Sequence, residues 1–272
     1  MNYLDYLRTD KFPHFWCSGC GNGIVLCAIA RAFEELDLTL ENTVVVTGIG
    51  CWGKADDYVR TNSFHGTHGR ALAFATGIKL ANPSLNVVVL MGDGDGITIG
   101  GNHFIHAARR NVDVTAILVN NFNYGMTGGQ YSGTTPEERI TTTSRYGHIE
   151  EGFDICAVAK AAGARYVARA STENPQQLKN LIRDGIKKQG FACIEAISPC
   201  PTHFGRNNGM RSPAALMRWV NENSVTPAQA VAMSEEELAG KLVMGLICDR
   251  PGEDYSTKYQ HVTEKAQSEV KK

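Results

Sequence analysis

The chain has 272 residues, 43% hydrophobic and 20% charged, the proportions of a globular protein with room for one large α/β domain or two small ones. Its 27 basic residues are scattered among 28 acidic ones, a formal net charge of −1 that leaves no electrostatic footprint for nucleic acid. The longest apolar candidate, Ile24 to Phe33, is broken by Arg31, and the opening MNYLDYLRTD lacks the apolar core of a signal peptide, so no membrane contact and a cytoplasmic location are expected.

Strand-like and helix-like runs alternate. The spacing of Val25, Ile29, Ala32 and Leu36 predicts a helix over Gly21 to Leu36. TVVVTG, Thr43 to Gly48, reads as a buried strand, and Arg70 to Ala81 as a helix stopped by Asn82-Pro83. NVVVLMG (Asn86 to Gly92) is a second strand, Gly101 to Arg110 a short helix, and VTAILVN (Val114 to Asn120) a third strand. The polar stretch from Asn121 to Glu150 shows no element. Beyond it come a helix over Phe153 to Ala162, a short strand over Tyr166 to Ala168, a helix over Pro175 to Lys188, and the strand FACIEAI (Phe191 to Ile197). Uninterrupted Val/Ile/Leu strands between helices predict an α/β fold, a mostly parallel sheet covered by helices on both faces. From Ser212 the pattern weakens. Residues 1–211 are expected to form the functional domain, and 212–272 a C-terminal extension packing on that domain or on a partner.

Parallel sheets bind ligands at the carboxyl ends of their strands. GIGCWG (Gly48 to Gly53) has dinucleotide-fingerprint spacing, but no apolar helix face follows. The acid expected near the ribose is also missing, since no Asp or Glu occurs between Tyr58 and Gly92. GDGDG (Gly92 to Gly96) is a better candidate. Its glycines allow backbone to approach a diphosphate, and Asp93 offers a hard oxygen for Mg²⁺. One strand later VNNFNYG (Val119 to Gly125) places the Asn121 carboxamide at a strand end, with the Asn123 carbonyl two residues on. Either motif alone reads as an ordinary turn or strand cap; together, at neighbouring strand ends, they favour the reading of an octahedral Mg²⁺–diphosphate site.

Eight cysteines in a reducing compartment point to metal ligands or catalytic thiols rather than disulfides. Cys17 and Cys20 precede a helix, while Cys51 and Cys200 follow strands on the side where the glycine loops gather. Four thiolates suit either a [4Fe–4S] cluster or tetrahedral zinc, and spacing does not separate the two. Cys27, Cys156 and Cys193 fall inside apolar elements and read as small buried hydrophobes, as does Cys248.

GDG followed by Asn-Asn at the next strand end resembles the diphosphate motif of thiamin diphosphate enzymes, which implies Mg²⁺ on Asp93, Asn121 and the Asn123 backbone. Taken together, WCSGCGNG, GIGCWGK, HGTHGRA…GIKLANP, MGDGDG, NNFNYGMTGGQ and SPCPTHFG resemble the β subunit of 2-oxoacid:ferredoxin oxidoreductases, especially those acting on 2-oxoglutarate, from Leu7 to about Ile247. Ser18 and Gly133 stand where that family usually has proline; neither departure removes a ligand. The resemblance implies one [4Fe–4S] cluster on Cys17, Cys20, Cys51 and Cys200. It implies thiamin diphosphate against Ile49, Gly50, His68, Gly69, Gly92, Gly94, Asp95 and Gly125, with catalytic roles for His68 and for Lys54, the latter on the distal carboxylate of a dicarboxylate substrate. It implies oxidative decarboxylation of a 2-oxoacid with coenzyme A to an acyl-CoA, electrons leaving through the cluster to ferredoxin, in a direction that could be reversed to fix CO₂. Pyruvate or a range of 2-oxoacids is the alternative substrate, and a structural zinc protein the alternative class. The activating glutamate belongs to a pyrimidine-binding domain for which this length has no room. The resemblance implies a separate α subunit that carries this glutamate, in an αβ dimer or (αβ)₂ assembly, so that the chain alone should be inactive.

Overall fold

A computed structural model describes residues 1–270. The helices and strands follow in the order α1 (Asn22–Glu35), β1 (Thr43–Thr47), β2 (Asn62–His65), α2 (Ala71–Ala81), β3 (Asn86–Gly92), α3 (Gly101–Arg110), β4 (Thr115–Asn120), α4 (Ile155–Ala162), β5 (Tyr166–Ser171), α5 (Pro175–Lys187) and β6 (Ala192–Ile197). The remainder holds α6 (Pro213–Glu222), β7 (Ser224–Val225), α7 (Pro227–Val231), α8 (Glu235–Leu238), β8 (Leu242–Val243), β9 (Gly245–Asp249) and α9 (Tyr255–Val270). Residues 271 and 272 of the expected extension lie outside the described residues.

Seven strands form one sheet in the order β2-β1-β3-β4-β6-β5-β9. β1 to β6 are parallel, as the unbroken apolar strands predict. Alternate residues serve opposite faces. Val45, Val88, Leu90, Ile117 and Val119 pack with Val25, Ile29 and Phe33 of α1 and with Leu178 and Ile182 of α5. Val44, Val46, Val87, Val89, Met91, Ala116 and Leu118 pack with Leu72 of α2, Phe104 of α3 and Ile155 of α4. The sheet is thus a closed sandwich whose free edge for ligands is the row of strand ends. In-register pairs Thr47↔Leu90, Gly92↔Val119 and Asn120↔Ile197 bring the loops after β1, β3, β4 and β6 out at that one edge.

Three departures from the sequence reading have physical causes. β2 has every residue exposed, so it carries no apolar signal. β5 runs on to Ser171 because the charge of Arg169 is neutralised by Glu195, its partner in register on β6, at 2.7 Å. β9, from the segment read as an extension, completes the sheet by pairing antiparallel with β5. Near the opposite end of the sheet, Asp254 accepts from the Ser256 and Thr257 amides at the start of α9 and from Gln189 Nε2, which pins that helix to the end of α5. No helix among the described residues is long and apolar enough to cross a membrane.

Candidate cofactor site

Asp93 leaves the end of β3 and is 1% exposed. The chain then runs through a π-helical turn, Gly94–Ile99, a rare backbone form that clusters at functional sites. Asp93 Oδ2 accepts from Ser132 Oγ at 2.5 Å and Thr134 Oγ1 at 2.7 Å. Burial pushes this carboxyl above its usual range, against hydroxyls that favour its charged form. A bound cation would favour its charged form. At the end of β4, Asn121 Oδ1 accepts from the Asn123 amide at 3.2 Å, folding the loop back so that both residues stay at the strand end. Both side-chain polar atoms of Asn123 are buried without a partner. Orphaned polar atoms beside a buried carboxylate are what a metal and diphosphate would satisfy, so the residues fit the group.

Asp95 is the second organiser. Its Oδ1 accepts from the Gly69 amide at 2.6 Å and the Ile49 amide at 3.4 Å and lies 2.7 Å from His68 Nδ1, while its Oδ2 is buried and unpaired. One carboxylate thereby gathers Ile49, His68 and Gly69 from two loops. The ring of His68 also meets Tyr124 edge-on at 6.0 Å. Gly94 lies so close to Tyr124 that a Cβ would fall 2.2 Å from its ring, which excludes any side chain there. Gly50 sits at φ +126°, in the turn that delivers Cys51. Gly92 closes β3.

The cysteines approach from three directions. The Cys20 amide donates to the Cys17 carbonyl at 3.0 Å, forming a tight turn ahead of α1. The Cys51 carbonyl accepts from Trp16 Nε1 at 2.6 Å. The Cys200 amide donates to the Asn121 carbonyl at 3.2 Å, and its sulfur accepts from the His203 amide at 3.4 Å at a second π-helical turn, Pro201–Gly205. Burial pushes the Cys20 thiol up to about 12, and the nearby Cys200, Cys51 and Cys17 add to the shift. Cys51 is pushed up to about 11 by burial, then by Cys200 and Cys17, with Asp93 adding to it. All four thiols therefore share one region, and Asp93 lies within electrostatic reach of Cys51. A Cβ on Gly125 would stand 3.4 Å from Cys51 Sγ, 3.5 Å from Asn123 Oδ1 and 3.7 Å from Asn121 Nδ2, so this glycine is the seam between the thiols and the asparagine loop. Among the described residues no three cysteine sulfurs lie within 4.8 Å of one another. Four thiols from three chain segments are the donor set that a [4Fe–4S] cluster, or tetrahedral zinc, would use.

Residues 48–196 match the thiamine pyrophosphate enzyme C-terminal TPP binding domain. The 2-oxoglutarate synthase subunit KorB of Methanothermobacter marburgensis is 52% identical over 92% of this chain and 87% of its own length. The KorB subunit of Methanocaldococcus jannaschii is 50% identical, with 98% of each chain covered. A solved structure of 2-oxoglutarate:ferredoxin oxidoreductase from Magnetococcus marinus, with 2-oxoglutarate, coenzyme A and succinyl-CoA bound, superposes with a TM-score of 0.87 at 32% identity, covering 98% of this chain and 91% of that one. This chain belongs to the 2-oxoacid:ferredoxin oxidoreductase β subunits.

The thiamine-domain match contains Asp93, Asn121 and Asn123, but Cys17, Cys20 and Cys200 fall outside it. Three of the four thiols thus come from chain outside the matched domain, and Cys51 from within it. Lys54 lies in the 3₁₀ turn Trp52–Tyr58, where it pairs with Asp57 at 2.7 Å, both side chains about two-fifths exposed. Among the described residues its ammonium has Asp57 as its ion-pair partner and makes no hydrogen bond to the loops around Asp93 and Asp95. Ser132 and Thr134, the hydroxyls on Asp93, escaped the sequence reading. Their signal was the hydroxyl-rich YSGTTP just after the asparagine loop. Cys156 forms an acidic cluster with Asp154 and Glu195, but the Arg169 guanidinium already sits between the two carboxylates and supplies the cation there.

Proposed function

We propose that this chain binds thiamin diphosphate, Mg²⁺ and one [4Fe–4S] cluster, and that with an α subunit it converts 2-oxoglutarate and coenzyme A to succinyl-CoA and CO₂, reducing ferredoxin. Mg²⁺ is held by the side chains of Asp93 and Asn121 and by the Asn123 carbonyl. Ile49, Gly50, Gly69, Gly92, Gly94 and Gly125 line the diphosphate with backbone, and Asp95 fixes His68 toward the same space. Bound thiamin diphosphate would supply the electron sink for decarboxylation. Cys17, Cys20, Cys51 and Cys200 hold the cluster. Lys54, once released from Asp57, meets the distal carboxylate of the substrate. The observation that carries this reading is the gathering of four thiols from three chain segments against Asp93, whose charge reaches Cys51.

The test is anaerobic co-purification with the α subunit. Brown protein with iron and thiamin diphosphate bound, and coenzyme A-dependent ferredoxin reduction faster with 2-oxoglutarate than with pyruvate, is the expected outcome. Zinc in place of iron, or equal rates with the two substrates, would overturn the cluster or the substrate assignment respectively. The β subunit purified alone is expected to show no turnover.

A further inference from the structure

Glu195 and Arg169 are buried charges in the middle of an otherwise apolar sheet, 1% and 2% exposed. A hydrophobic pair of similar volume would fill such a place at no desolvation cost. Every polar atom of the pair is nonetheless used. Arg169 donates through Nε to Glu195 Oε2 at 2.7 Å, through one terminal nitrogen to Asp154 Oδ1 at 2.5 Å and through the other to the Val243 carbonyl at 3.3 Å. Glu195 Oε1 accepts from Asn120 Nδ2 at 2.8 Å. At its other end the Asn120 amide presents Oδ1 to the Phe122 amide at 3.1 Å and to Thr134 Oγ1 at 3.0 Å. Thr134 Oγ1 in turn lies 2.7 Å from Asp93 Oδ2. A continuous buried chain thus runs from Asp154 at the surface, through Arg169, Glu195, Asn120 and Thr134, to the carboxylate assigned to Mg²⁺.

The chain has a direction. The Glu195 carboxylate only accepts, so it fixes the nitrogen end of the Asn120 amide and turns the oxygen toward Thr134. Thr134 Oγ1 has one proton to share between two acceptors, Asn120 Oδ1 at 3.0 Å and Asp93 Oδ2 at the shorter 2.7 Å, so Asn120 fixes the place of the hydroxyl beside Asp93 Oδ2, which Ser132 loads as well. Both hydroxyls fall on one oxygen, and Oδ1 is left with no side-chain donor. We propose that Glu195 is a positioning residue: through Asn120 and Thr134 it fixes which oxygen of Asp93 is occupied and so presents the other to the divalent cation. This rests on the assignment of Asp93 to the metal.

The test is Mn²⁺ binding, followed by electron paramagnetic resonance, to the αβ complex stripped of divalent cations and supplied with thiamin diphosphate. Glu195→Gln is expected to weaken Mn²⁺ about 10- to 100-fold, the range for outer-shell partners, with iron content unchanged. Thr134→Val should weaken it similarly, Thr134→Ser should restore it, and the double variant should be no weaker than Thr134→Val alone, because the two act through one chain. Should Glu195→Gln not fold, Asn120→Ser cuts the same chain and leaves the Glu195–Arg169 pair intact; the same loss is expected. Affinity within about twofold of the parent, or effects that multiply in the double variant, would overturn the relay. Asp93→Asn separates the two ideas. If it leaves Mn²⁺ affinity intact, the metal assignment fails; if it abolishes binding while Glu195→Gln does not, only the relay fails.

Discussion

The thiol cage and the diphosphate loops are neighbours at one edge of the sheet, yet they are held by opposite means. Asp93, Asp95 and Asn121 are fixed by donors from the chain itself: hydroxyls on Asp93, backbone amides and His68 on Asp95, and the Asn123 amide on Asn121. Of the four thiols, Cys200 has an amide on its sulfur at 3.4 Å, and on Cys20 and Cys51 burial raises the pKa against weaker backbone hydrogen bonds. The loops are held mainly by side-chain and backbone donors, the thiols mainly by burial. Preorganised sites lose affinity when an organiser is lost, whereas cages that depend on metal lose structure when the metal goes.

The sharpest break in that comparison comes from single substitutions. Cys51→Ala is expected to take bound iron from stoichiometric to background and abolish ferredoxin reduction, while Asp93→Asn keeps its iron and loses Mg²⁺-dependent thiamin diphosphate affinity by more than about 100-fold. Cys193→Ala is the control: that thiol is fully buried under the other face of the sheet, so iron content should not change. Iron analysis and cofactor titration on the three variants check this; iron loss in Asp93→Asn would mean that the two halves are not independently held.

Removal of the metal sharpens the same contrast. Iron-free protein is expected to show faster hydrogen exchange at Cys17 to Cys20 and little change at Gly92 to Asp95, where protein donors persist. Equal loosening of both would count against preorganisation. The pH response follows from the thiols, which burial lifts from an ordinary 9.0 to about 12 for Cys20 and about 11 for Cys51. Groups that hold their protons more tightly when folded stabilise the fold below their unfolded value and lose that contribution as pH rises through the folded one. Iron-free protein should therefore be flat in stability up to about pH 9 and fall toward about pH 12. Cluster assembly should improve with pH, up to tenfold per unit for each proton released. A pH-independent iron uptake would show that the thiols are already ionised.

What the sequence made legible and what it hid divides along the same line. Asp93 and Asn121 stand one residue beyond buried strands, so register alone carries them to a common edge. Cys51 and Cys200 follow strands, but only the family resemblance joined Cys17 and Cys20 to them. The hydrogen bonds of Asp95 to Ile49 and Gly69 span 46 and 26 residues and follow from no local pattern. β2 was invisible because an exposed edge strand needs no apolar residues, and β9 because antiparallel pairing to β5 from 80 residues away leaves no periodic trace beyond five residues. Glu195 in FACIEAI and Arg169 in YVARAS were legible as anomalies: opposite charges inside two buried strands must meet, and they do, in register.

Lys54 has the smallest expected effect and draws the boundary of the site. Its pair with Asp57 is solvent-exposed on both sides, and such pairs contribute between 0 and about 1 kcal/mol, so Lys54→Ala should leave thermal stability almost unchanged. The same weakness makes the ammonium easy to release. A second carboxylate arriving on a substrate competes with Asp57 for one cation, and exchange between two exposed partners costs little. If Lys54 makes that exchange, removing it raises KM for 2-oxoglutarate about tenfold, the loss of one charge-assisted contact, while pyruvate, which has no distal carboxylate, keeps its KM. Steady-state kinetics of both substrates on the αβ complex decide the matter: a change shared by the two, or absent from both, confines Lys54 to its surface pair and ends the site at Cys51.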